Sequence, residues 1–262
     1  MRPTLMLAAL LAVAPLPALA ANECKYEAPR NLTADLAGVR GVQISLHAED
    51  LHLTGCTSAG QTLTLKGRAC ASEQAMLDDL QVEQRREGDQ LIIEVARHRG
   101  MHINLFGSSY SALELNVDLP ASMPVSLAVG SGDADVSGLQ QLDAQVGSGD
   151  LNVKQIAGRF AASVGSGDID ARDVGSLSLG SVGSGDARVT GVRGDAKVGS
   201  IGSGDVTLKQ VGGSVHVDTI GSGDLEVHDV GGDLSLGAKG SGDVNHSGVK
   251  GKVSVPHDND ED

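Results

Sequence analysis

Apolar residues in this chain recur as pairs with one polar residue between them. From Gly202 to Ile220, Val206 and Leu208 flank Thr207, and Val215 and Val217 flank His216. A single apolar residue, Val211 or Ile220, follows each pair three residues later. Alternation with a period of two, in β-branched and aliphatic residues bounded by glycine, predicts short half-buried strands. Each unit therefore contains two similar half-coils.

The unit repeats. Gly-Ser-Gly-Asp stands at 130–133, 147–150, 165–168, 183–186, 202–205, 221–224 and 240–243, with spacings of 17, 18, 18, 19, 19 and 19 residues. A fixed period near 20 marks a solenoid with one coil per repeat. When the copies are stacked, the positions become columns. Ala134, Leu151, Ile169, Ala187, Val206, Leu225 and Val244 form one inward column, and Val136, Val153, Ala171, Val189, Leu208, Val227 and His246 form a second. Between them the positions are polar, from Asp135 to Asn245, and face water. A third inward column, Leu139 to Val249, marks the next bend.

A coil of this size cannot bury its apolar face alone and gains a core only by stacking through parallel main-chain hydrogen bonds. The expected fold is all-β, a right-handed single-stranded parallel β-helix. Its hand follows from the crossover preference. At about 4.8 Å per strand the seven coils give a rod roughly 30 Å long. The turn glycines are expected to supply positive φ. Residues 21–128 lack the tetrapeptide but keep the alternation (Val42/Ile44/Leu46, Leu63/Leu65, Leu91/Ile93/Val95, Leu113/Leu115/Val117/Leu119). They read as divergent coils plus an amino-terminal cap continuous with the regular β-helix of 129–255. Ser72 to Gln84 has helical composition, with Ser72 as N-cap.

The run Leu113-Glu-Leu-Asn-Val-Asp-Leu-Pro120, followed by Val125-Ser-Leu-Ala-Val-Gly-Ser-Gly-Asp133 and its repeating coils, resembles the exported bacterial β-helix family of unknown function grouped under the adhesin name, including the auto-transporter adhesin head (GIN) domain. The resemblance implies a right-handed parallel β-helix and an adhesin-like role. It supplies no site residues.

Residues 1–20 carry Arg2, an apolar run from Leu5 to Ala14 and Ala18-Leu19-Ala20, the pattern of a cleaved export signal. Pro15 and Pro17 interrupt the run, and Cys24 lies too far beyond Ala20 for a lipoprotein. The expected location is the periplasm or the medium, with no transmembrane segment. The whole chain has 20 Lys and Arg against 34 Asp and Glu, a net of -14. Such a surface repels nucleic acid and anionic membranes. The last residues, 256–262, read as a solvated acidic tail. Three cysteines allow at most one disulfide: Cys24 with Cys70, or Cys56 with Cys70.

The one repeated chemical feature is the aspartate column Asp133, Asp150, Asp168, Asp186, Asp205, Asp224 and Asp243. Its structural reading is a turn in which each carboxylate accepts a backbone N–H. The alternative is a calcium ladder, since Ca²⁺ takes hard oxygen ligands and half-coils near nine residues are similar to those of the calcium-binding nonapeptide roll. The order Gly-Ser-Gly-Asp departs from that roll, so no cofactor is expected, with Ca²⁺ as the alternative. Seven equivalent serines are no nucleophile, because a nucleophile needs a single activated copy beside a base. Arg193-Gly194-Asp195 falls in a second turn and reads as chance. His98 and His102 read as a surface loop, and His246 as relaxation of core rules near a solenoid end. The chain has two Phe, two Tyr and no Trp, which disfavours sites that stack sugars on aromatic faces. A non-enzymatic exported scaffold that contacts an envelope or surface partner is the leading reading. A calcium-stabilised β-roll and a carbohydrate-active β-helix enzyme are the alternatives.

Overall fold

The structure, a computed structural model, describes residues 24–58, 60–97 and 109–256. The export leader, the acidic tail from 257 onward and the His98/His102 pair lie outside the described residues.

Every regular coil contributes to two parallel ladders. In the first, Ala187–Val192 pairs with Val206–Val211, that strand with Leu225–Val230, and that in turn with Val244–Val249. In the second, Ala196–Ile201, Val215–Ile220, Leu234–Lys239 and Val253–Ser254 follow one another. The strands Leu151–Val164 and Ile169–Val182 are long enough to run through both ladders. The register places Val206 on Leu225, Leu208 on Val227 and Val211 on Val230, so the columns stack as the pattern predicts. All three inward columns are buried from Leu139 to Val230, and Val206, Leu208, Leu225 and Val227 are fully so. Burying an aliphatic side chain contributes about 1.5–3 kcal/mol relative to exposure. The continuous core is thus the sum of many equal increments.

The amino-terminal half is not wound in chain order. Gly41–Leu46 lies between Gln90–Arg97 and Val125–Val129, parallel to both. Asp50–Cys56 lies likewise between Ser111–Pro120 and Ala134–Ser137. The coil made of residues 41–56 is therefore sandwiched between a coil that comes later in the chain and the first regular coil. The chain steps over it at 120–125, where Ala121 N–H donates to the Cys56 carbonyl and Val42 N–H to that of Pro124.

This end is closed by antiparallel strands. Thr62–Ala71 pairs with Ser111–Pro120, and Leu80–Glu87 with Gln90–Arg97. Tyr26–Pro29 and Leu32–Asp35 line the far edge of Thr62–Ala71. The Cys24–Cys70 disulfide, with Cα atoms 5.4 Å apart, ties down the first of these strands and leaves Cys56 free. The helix is shorter than the composition suggests, Gln74–Asp79. At Leu80 the backbone is extended and begins pairing with Arg97, so sheet hydrogen bonds end the helix. Ser72 is not its cap: Glu73 holds that position without a side-chain bond, and the Ser72 hydroxyl accepts the Tyr110 amide instead.

At the carboxy-terminal end, no further strand covers Val244–Val249 or Val253–Ser254 among the described residues. Here the columns admit polar groups. His246 is exposed in an inward register position, Lys239 is half-buried and Val253 is 38% exposed. Inward polar residues and edge lysines blunt an open strand edge against pairing with another chain.

Candidate functional site

The aspartate column follows the turn edge between the second strand of one coil and the first strand of the next. Each carboxylate from Asp133 to Asp224 accepts the backbone N–H of the aspartate one coil on. Asp150 N–H donates to Asp133 Oδ1 at 3.0 Å, Asp186 to Asp168 at 2.9 Å, and Asp243 to Asp224 at 2.8 Å. The expected turn bond was within one coil, and the observed bond joins two. Stacking brings the next coil's amide onto the carboxylate, so the ladder is a side-chain clamp between coils. It begins one coil earlier than the tetrapeptide, at Asp50, whose Oδ1 accepts from Asp133 N–H. The missed copy is His47-Ala48-Glu49-Asp50, in which only the aspartate survives.

Glu49 serves the amides of that turn. In the regular coils the first Gly and the Ser donate their amides to carbonyls of the coil before, as in Gly147 to Val129 and Ser148 to Gly130. The equivalent amides of His47 and Ala48 both donate to Glu49 Oε2, at 2.6 and 3.2 Å. Glu49 is the single buried charged residue among the described residues, at 1% exposure.

The turn glycines serve a purpose different from the expected one. None in the Gly-Ser-Gly-Asp copies has positive φ. A Cβ on the second glycine would instead strike the coil beneath: 1.8 Å from the Gly132 carbonyl oxygen at Gly149, and 1.8 Å from that of Gly185 at Gly204. Close approach of two backbones, not backbone conformation, demands glycine here.

On the other turn edge a second, mixed ladder runs Asp195, Ser214, Asp233, Lys252. Asp195 Oδ1 accepts the Ser214 amide, Ser214 Oγ that of Asp233, and Asp233 Oδ1 that of Lys252. Asp195 of the Arg-Gly-Asp tripeptide is therefore a stacking residue. Arg193 lies flat, its guanidinium donating to the carbonyls of Ile156 and Ala157.

Positive φ belongs to a column that the apolar pattern did not reveal. Gly138, Gln155, Asp173, Gly191, Gln210, Asp229 and Gly248 are all left-handed, one per coil, each immediately before the third inward column. The left-handed residue turns the strand so that the next side chain points inward. Four of the seven keep a side chain at a cost of order 1 kcal/mol or more each. The signal in the sequence was only a Gly, Gln or Asp before each inward valine, leucine or isoleucine.

Beside this column lies an open groove of about 650 Å³, running from Asp173 to Lys250 with Arg193, Gln210 and Asp229 on its walls. The predicted aspartates line none of it. Among the described residues no group of three or more His, Cys, Asp or Glu could hold a metal ion. Calcium takes about six to eight oxygen ligands, whereas the aspartate ladder presents one carboxylate per coil with one oxygen already engaged by an amide. Among the described residues, perturbed ionisation is confined to surface pairs. The hydrogen bond from Arg68 holds Glu27 below its usual range, and that from His228 does the same for Glu226. No helix among the described residues is long and apolar enough to cross a membrane.

The class that this geometry defines is a parallel β-solenoid whose repeated polar side chains join coil to coil, with its free surface chemistry on the edges. The chain belongs to the family described as Toastrack DUF4097, whose model matches residues 42–261. No curated protein matches it. Solved structures similar to it include a putative lipid binding protein from Parabacteroides distasonis, at 14% identity and TM-score 0.48, covering 87% of this chain and 97% of that one. A putative adhesin from Parabacteroides merdae is 12% identical, with TM-score 0.45, covering 88% and 97%. A putative cell adhesion protein from Clostridium sporogenes is 14% identical, with TM-score 0.38, covering 87% and 100%.

Proposed function

We propose that this protein is a non-enzymatic exported scaffold that engages a component of the cell envelope through the edges of its coil stack. The observation that carries this reading is the fate of the repeated polar groups. The aspartates clamp one coil to the next, the turn glycines let backbones meet, and among the described residues no acid–base pair with shifted ionisation stands in a cleft. The export leader read from residues 1–20 and the Cys24–Cys70 disulfide fit an oxidising compartment. A carbohydrate-active enzyme would need two carboxylates within roughly 5–10 Å of each other across a bound chain. The groove's Asp173 and Asp229 stand three coils apart, about 14 Å.

The test is binding of the mature chain to washed envelope fractions, against an unrelated exported protein of matching net charge. Binding clearly above the control is expected, and equal binding overturns the reading. Thermal melts with calcium and with chelator form a second arm. A melting temperature that rises with calcium would make the aspartate ladder a metal ladder instead.

A further inference from the structure

The Cys24–Cys70 disulfide closes a strand that little else holds. Tyr26–Pro29 pairs with one neighbour, Thr62–Ala71, and none of its residues is fully buried. Beyond those backbone bonds and the partial packing of Tyr26 and Ala28 on the core, its ties lie at the surface. Lys25 N–H donates to the Tyr110 hydroxyl at 3.2 Å, and Glu27 pairs with Arg68 at 2.9 Å. Cys24 and Cys70 are both half-buried, so solvent reaches the bond between them.

The two sulfurs differ in their surroundings. Arg68 Nε and Nη2 donate to the two carboxylate oxygens of Glu27 at 2.9 and 3.1 Å, and the same Nη2 donates to Cys24 Sγ at 3.7 Å. Cys70 is fixed within Thr62–Ala71, between Glu27 on one side and Ala112 on the other, whereas Cys24 precedes the first strand. A disulfide breaks toward the sulfur that is better stabilised as a thiolate, and a neighbouring guanidinium supplies that stabilisation. Cys24 is therefore the leaving sulfur. The free Cys56 takes no part. It and Cys70 pair with opposite ends of Ser111–Pro120, at Pro120 and Ala112, about 27 Å apart.

We propose that this bond is a thiol-operated strap. An external thiolate attacks Cys70 Sγ, the sulfur–sulfur bond breaks, and Cys24 departs with the electron pair as a thiolate beside Arg68. The product carries a mixed disulfide on Cys70 and an undocked amino-terminal strand, which uncovers the edge of Thr62–Ala71 from Arg68 to Ala71. A second external thiolate then attacks the external sulfur of the mixed disulfide, releases Cys70 as a thiolate and leaves as the external disulfide. The two electrons thus come from the external thiols. Glu27 restrains the first step, because it draws on the same Nη2 that the leaving sulfur needs.

The experiment uses the mature chain carrying Cys56→Ser, opened with millimolar reduced glutathione at neutral pH, quenched with iodoacetamide over time and mapped by mass spectrometry. In most of the opened chains glutathione should sit on Cys70 and the alkyl group on Cys24. Hydrogen exchange of the same species should show Tyr26–Pro29 without protection while Val206–Val211 keeps its own. Arg68→Gln should slow opening roughly threefold and Glu27→Gln should speed it by a similar factor, as expected for a change of about one unit in the basicity of the leaving thiolate. An ion pair that only fastened the strand would make both variants open faster. Circular dichroism melts check that both variants fold. Glutathione found mainly on Cys24, no opening at all, unchanged protection of Tyr26–Pro29, or any other order of the three rates would overturn the strap. Neither step needs an envelope partner, so its failure leaves the scaffold reading standing.

Discussion

In the regular stack every coil rests on the coil before it in the chain. At the amino-terminal end, the coil of Gly41–Leu46 and Asp50–Cys56 rests on strands that come later, Gln90–Arg97 and Ser111–Pro120. The first arrangement is assembled from near-neighbour contacts of constant sequence separation, as in other solenoids. The second requires a long segment to leave, build an antiparallel cap and return beneath what it left. Such contacts demand closure of longer loops before they stabilise anything. The two regions accordingly use different fastenings. The stack has a repeated amide clamp in every coil, whereas the end has a disulfide, a buried carboxylate and antiparallel strands.

The largest effect that would test this contrast is at the turn glycines. Gly204→Ala places a methyl 1.8 Å from a neighbouring carbonyl oxygen, and the stack must part there. A loss of more than about 4 kcal/mol is expected, seen as a collapsed thermal transition in circular dichroism. Gly60→Ala, at a left-handed but open position of the amino-terminal region, should cost only about 1 kcal/mol. Equal losses would erase the distinction between close approach and backbone conformation.

Next comes the disulfide. Opening Cys24–Cys70, which spans 46 residues, should remove about 2–4 kcal/mol from the amino-terminal region alone. Hydrogen exchange should show faster exchange in Tyr26–Pro29 and Thr62–Ala71 while Val206–Val211 stays protected. Uniform loss of protection would show that both regions unfold as one unit.

Glu49→Ala leaves two turn amides without their acceptor and should cost about 1–3 kcal/mol. Glu49→Gln, which keeps an acceptor oxygen, should recover part of it. Equal melting temperatures for both variants and the parent would mean that the turn needs no closing group. The smallest effect has the opposite sign. Gln210→Gly relieves a left-handed side chain (φ 58°) and should stabilise by about 0.5–1 kcal/mol after the entropy of glycine is counted. A lower melting temperature would show that the Gln210 side chain itself holds the stack.

The columns were legible because a stacked coil repeats its environment: Val206, Leu208 and Val211 meet the same surroundings in every copy, and period and alternation suffice to place them. The aspartates were legible as a ladder, but not as a clamp between coils, since the partner amide lies 17 to 19 residues away and belongs to a backbone group that no side-chain pattern reports. Glu49 and Asp50 were hidden because their turn has lost its glycines. The groove was hidden because it depends on which residues turn left-handed, and Gln is an unusual choice for that conformation.

The sequence alone determined a parallel solenoid, its coil length, its inward columns and the acidic turn edge. These follow from local periodicity repeated often enough to exclude other folds. Only the tertiary structure decided the order in which the first coils stack, the Cys24–Cys70 pairing over Cys56–Cys70, the steric reason for the turn glycines and the groove from Asp173 to Lys250. Each of these depends on the distance between backbones remote in the chain, and alternation of polar and apolar residues carries no information about that distance.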